Sequence, residues 1–96
     1  MVEREGRKIR AHIWIEGRVQ GVFFRGSAWR MAQNLGITGW IKNKWDGRVE
    51  AVLEGERKAV QKMVDWSRKG PPAAIVEDTQ VKWEEWTGSF DSFSTH

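Results

Sequence analysis

The chain has 96 residues, 40% hydrophobic and 30% charged, which fits one small globular domain over residues 1–96 and excludes a disordered segment or a second core. It has no cysteine, so neither a disulfide framework nor a thiolate nucleophile is available, and a reducing cytoplasm is the expected location. The net charge of +3 suits either a nucleic acid or a small anionic substrate, and no run approaches the ~20 apolar residues of a membrane span.

Residues 1–7 read as a charged N-terminal extension without the apolar segment of a signal peptide. Ile9, Ala11, Ile13 and Ile15 then alternate with polar or amphipathic neighbours, the period of a half-buried strand that stops at Gly17. From Phe24 the period changes. Phe24, Ala28, Met31, Ala32 and Leu35 share one helical face, and Gly36 is placed to cap that helix in the left-handed conformation. Thr38 to Asn43 reads as a second strand, joined through Asp46-Gly47 to a third, Arg48 to Glu54, with Gly55 expected to break it. Val60, Met63, Val64 and Ser67 describe a second amphipathic helix, closed by Gly70-Pro71-Pro72. A fourth strand falls within Ala74 to Trp86, with Val81 and Trp83 on one face, and a short fifth lies near Ser92 to Thr95. The class is α+β. The order β-α-β-β-α-β makes two split βαβ units, a ferredoxin-like sandwich with two helices on one face of an antiparallel sheet. The first strand and the strand after the first helix are expected to be parallel, central neighbours.

The chemistry concentrates between the first strand and the first helix. Gly17, Arg18, Val19, Gln20, Gly21, Val22, Phe23 and Phe24 form a loop that aims backbone N–H groups and the positive end of a helix dipole at one spot. No Asp or Glu lies between Glu16 and Arg25 to repel an anion, and Gly21 relaxes the backbone for a concave nest of donors. Arg25 sits in the first helical turn, a poor place for a cation unless an anion compensates it. Its planar fork reaches the same spot, and together these features make a socket for a phosphate-like dianion. Asn43 admits two readings: it braces the following turn through its own backbone, or its amide orients a water toward the bound phosphate.

The segment Ile15 to Arg25, I-x-G-x-V-Q-G-V-x-F-R, resembles the signature of the acylphosphatases, and Gly39 to Gly55, G-W-I-x-N-x-x-D-G-x-V-x-x-x-x-x-G, resembles their second signature. The likeness runs from about Lys8 to the end of the chain. It implies hydrolysis of the carboxyl–phosphate anhydride of small acylphosphates, with the loop backbone and Arg25 holding the phosphoryl group and Asn43 positioning the attacking water. Inorganic phosphate is then both product and inhibitor. An acylphosphate already has a good leaving group, so holding the phosphoryl group, neutralising its oxygens and aligning water suffice, without metal, cofactor or covalent nucleophile. Ala28 stands where many members of that family carry Thr, a departure that would loosen the buttress of Arg25.

Elsewhere the signals are weaker. With no cysteine and no acid cluster beside His12 or His96, a metal site is not expected. Glu50 and Glu54 read as solvated. Seven tryptophans exceed what so small a core holds, so several should be partly exposed. Trp14, Trp29, Trp45, Trp83 and Trp86 on a ferredoxin-like sheet raise an alternative, a non-catalytic RNA-binding module. Against it, the signature of such modules is absent and basic residues do not gather on one strand face. A third reading is an acylphosphatase-like domain of a larger maturation enzyme. The expected state is a monomer that acts alone, without nucleic acid or membrane partners.

Overall fold

The computed structural model describes residues 7–96. Of the expected N-terminal extension only Arg7 lies within that range, its carbonyl accepting from Arg57 N at 2.9 Å.

β1 (Lys8–Arg18) buries Ala11, Ile13 and Ile15. It does not stop at Gly17: the strand bulges between Glu16 and Gly17 and continues to Arg18. Gly17 has φ +126°, and a Cβ there would lie 2.2 Å from the carbonyl oxygen of Ile75, so only glycine permits this close approach. α1 (Phe24–Leu35) buries Phe24, Ala28 and Ala32 and ends on Gly36 at φ 69°, as its spacing required. β2 (Thr38–Asn43) and β3 (Val49–Glu56) form the expected hairpin. Gly55 does not break β3; it stays in the ladder opposite Ile9. α2 (Arg57–Ser67) buries Val60, Met63, Val64 and Ser67, and β4 (Ile75–Glu84) and β5 (Phe93–Thr95) complete the chain.

The strand order is β4-β1-β3-β2-β5, the ferredoxin-like arrangement with one added edge strand. Two expectations need correction. β1 and β2 are parallel but not neighbours, because the tight hairpin keeps β3 beside β2 and β3 inserts between them, antiparallel to both. The sheet is mixed rather than wholly antiparallel, since β5 runs parallel to β2. β4 and β5 lie on opposite edges, so the segment between them must cross the sheet. Side chains from β1, β2, β3 and both helices meet in one apolar cluster, which places the helices on the same face.

The crossing segment explains Glu54. It is fully buried rather than solvated, its carboxylate accepting from Arg10 Nη1 at 3.1 Å, Thr87 N at 3.1 Å, Thr87 Oγ1 at 2.7 Å and Gly88 N at 3.0 Å. Burial pushes its pKa up, but the bonds from Thr87, Arg10 and Gly88 outweigh that and hold it below the ordinary carboxylate range. Glu50 is likewise engaged, 2.7 Å from His12 Nε2 and 3.8 Å from Lys44 Nζ. His12 in turn stacks on Trp14 with ring centroids 4.0 Å apart. Trp29, Trp45, Trp83 and Trp86 are exposed, as the tryptophan count anticipated.

Candidate active site

Because β1 and β2 run parallel on either side of β3, their C-terminal ends emerge at the same end of the sheet. Register sets Ile15, Val49 and Asn43 in one row across the three strands. With neighbouring strands ~4.8 Å apart, Asn43 stands roughly 10 Å across from β1, and the loop from β1 to α1 covers that gap. Val19 and Phe24 anchor the loop at its ends, both fully buried. Phe24 packs against Trp66 at 5.1 Å and sits beside Gly70, where a Cβ would fall 2.7 Å from its ring. The side chain of Gln20 donates to the carbonyls of Lys44 at 2.6 Å and Arg48 at 2.9 Å, tying the loop to the hairpin that carries Asn43.

Between these anchors the backbone turns through left-handed residues, Gly21 at φ 73° and Phe23 at φ 65°. Phe23 is the one non-glycine residue with positive φ among the described residues. Such a conformation costs of order 1–3 kcal/mol and persists where the surroundings enforce it, often at ligand sites. Among the described residues, none accepts from the N–H groups of Gly21 through Gly26; the first bond of α1 is Ser27 N to Phe23 O at 3.1 Å. The helix has no side-chain cap and no acid in its first turn. Free donors, a bare helix dipole and a concave backbone converge here, the arrangement that binds anions.

A cavity of ≈ 690 Å³ opens at this point. Of the residues expected in the cradle, Val19, Gly21, Phe23, Phe24 and Arg25 line it, and Asn43 faces them. Gly17, Arg18, Gln20 and Val22 are not on its wall. Gly17 and Arg18 belong to β1 and pair with β4, Gln20 is turned to the hairpin carbonyls, and Val22 packs against the core. The wall also includes Gly26, Trp29, Arg30 and Thr95, which the sequence reading left out. Helical periodicity from Arg25 could have found the first three, at one, four and five residues further on. Thr95 could not be found that way, since it arrives by the parallel pairing of β5 with β2.

Arg25 Nη1 donates to the carbonyl of His96, whose own N–H donates to Ile41 O at 2.9 Å. The guanidinium is thus docked on the chain end that extends β5, whereas Ala28 is buried in the core. Asn43 leaves the turn to others: Lys44 N bonds Arg48 O at 2.7 Å, Gly47 N bonds Lys44 O at 3.1 Å, and Asp46 Oδ1 accepts from Arg48 N at 3.0 Å. The Asp46 carboxyl is held below its ordinary range chiefly by the Arg48 guanidinium, whose Nε and Nη2 donate to Oδ2 at 3.1 and 2.9 Å, and then by the Arg48 N–H. Among the described residues, none hydrogen-bonds the Asn43 side chain. The cavity wall carries two arginines and no carboxylate, imidazole or thiol, so its charge favours an anion.

The family model described as Acylphosphatase matches residues 11–95. An acylphosphatase of Pyrobaculum calidifontis is 56% identical over 87 residues, covering 90% of this chain and 79% of that protein. An acylphosphatase of Coxiella burnetii superposes with a TM-score of 0.89 at 34% identity, covering 100% of both chains. A full-length HypF in its phosphate- and nucleotide-bound form is also similar, at 26% identity and a TM-score of 0.84, over 94% of this chain but 12% of that one. The likeness spans the sheet, both helices and the loop with the free donors, and by its extent and identity the chain belongs to the acylphosphatase family.

Proposed function

We propose that the chain hydrolyses small acylphosphates to a carboxylate and inorganic phosphate, with the phosphoryl group seated on the N–H groups of Gly21 to Gly26 and Arg25. The observation that carries this reading is the run of unpartnered donors at the start of α1, beside an arginine and opposite a free amide. Donors fixed in advance toward a phosphoryl group neutralise its oxygens without reorganisation. The Asn43 amide holds water on the side away from the leaving carboxylate. Water oxygen bonds to phosphorus, the bond from phosphorus to the acyl oxygen breaks, and the carboxylate leaves with the electron pair. With no carboxylate or imidazole on the wall, the protons of the water go to phosphate oxygens or solvent. Among the described residues no three His, Asp or Glu side chains cluster as metal ligands would; the metal-free reading rests on the activated leaving group, which needs only a held phosphoryl group and an aligned water.

The comparisons lend no support to the alternative of an RNA-binding module. We assign the protein to the cytoplasm as a monomer of one domain. The lack of cysteine fits a reducing compartment, and among the described residues no helix is long and apolar enough to cross a membrane. The test is turnover of benzoyl phosphate by chelator-treated protein, with inorganic phosphate as competitor. Sustained turnover with competitive inhibition is expected; loss of activity restored by a divalent ion would refute the metal-free reaction.

A further inference from the structure

Arg25 accounts for one of the two cations on the cavity wall; the other is Arg30. It lies five residues along α1, a rise of about 7.5 Å, on the side of the helix shared with Gly26 and Trp29. No ion pair neutralises it among the described residues. Its guanidinium sits 5.4 Å from the centroid of the Phe23 ring, a cation–π contact that restrains a side chain otherwise free in solvent. Phe23 is itself placed with care. It is 60% exposed, in the left-handed region, and its ring lies against the helix where Gly26 has no side chain. A Cβ on Gly26 would come within 2.5 Å of the ring. Strained backbone, a missing Cβ and an exposed aromatic ring together hold Arg30 at the cavity rim, with the half-exposed Trp29 beside it.

We infer that Phe23, Trp29 and Arg30 form a subsite for the acyl group, and that Arg30 selects acylphosphates whose acyl part carries a second anionic group. This rests on the hydrolase reading above and adds the substrate class to it. The phosphoryl end occupies the donors near Arg25, the body of the acyl group lies along the aromatic wall, and the distal anion meets Arg30. Lysine keeps the charge at this position but not the planar guanidinium over Phe23, so it preserves part of the preference.

The experiment compares kcat/KM for benzoyl phosphate and 4-carboxybenzoyl phosphate, which share one reactive centre and differ by a para carboxylate. The wild type should favour the carboxylated compound, and raising the salt concentration should erode that preference. Arg30→Gln should lower the ratio by about three- to five-fold, the scale of a rim-exposed charge pair, and Arg30→Lys should restore part of it. A ratio equal in the wild type and Arg30→Gln would overturn the inference while leaving the hydrolase reading intact. Failure of the folded wild-type protein to turn over either compound would overturn both.

Discussion

Replacing Glu54 with glutamine tests how the crossing segment is held. Glu54 Oε2 accepts from Arg10 Nη1, Thr87 N and Thr87 Oγ1, and Oε1 accepts from Gly88 N. A glutamine offers one oxygen. Its best rotamer keeps the three bonds at the Oε2 position and turns the NH₂ against Gly88 N, donor to donor, in a place without solvent. The loss is one hydrogen bond with its donor stranded, plus the charge assistance on the other three, partly offset because a charge is no longer desolvated. The expected destabilisation is about 2–4 kcal/mol, or a fall in Tm of roughly 8–30 °C for a domain of this size. Urea unfolding of both proteins across pH gives the assay. Because the folded pKa of Glu54 lies below its unfolded value near 4.5, its contribution is full at neutral pH and is lost as the pH falls through the lower, folded value. The gap between wild type and Glu54→Gln should therefore close in acid. A gap under about 0.5 kcal/mol at neutral pH, the scale of an ordinary surface substitution, or one that does not change with pH, would refute the reasoning.

Arg25→Gln should lower kcat/KM by about 30-fold to several thousand-fold, the effect of losing a partly desolvated charge contact, and should weaken inhibition by inorganic phosphate. Near-normal efficiency in the folded variant would remove Arg25 from the cradle. Gln20→Ala removes one of the two bonds that each of the Lys44 and Arg48 carbonyls accepts, leaving them to Gly47 N and Lys44 N, and unties the loop from the hairpin. Thermal unfolding should show a loss of about 1–3 kcal/mol, and a larger loss in kcat than in stability would mark Gln20 as a positioning residue for Asn43.

Much of this architecture is legible in local periodicity. The alternation of Ile9, Ala11, Ile13 and Ile15 and the helical face of Phe24, Ala28, Met31, Ala32 and Leu35 are set by which residues must leave water, and the structure buries all of them except Ile9, Met31 and Leu35, which pack partly buried against the core. What local pattern does not contain is the pairing order. β1 and β2 are parallel, but nothing within either strand says that β3 inserts between them. Glu54 looked like a solvated strand residue because the segment that buries it arrives from more than thirty residues away. The loop was legible as a donor nest from its glycine, its lack of acids and the arginine at the helix start. Its finer division was not. Gln20 reaches across to the hairpin, and Gly17 is a bulge glycine set against β4; both depend on partners distant in sequence.

The most direct test of the central account is Asn43→Ala, measured for kcat and for the inhibition constant of inorganic phosphate on the same preparation. Arg25 and the loop donors meet charge already present in the ground state, whereas Asn43 acts only when water must be aligned. Since Asp46 and the backbone close the following turn, the variant should keep its Tm. The account predicts a sharp fall in kcat, about 10²-fold or more for a misplaced nucleophile, with the phosphate inhibition constant little changed. Retained kcat, or a loss of phosphate affinity matching the loss of turnover, would contradict it.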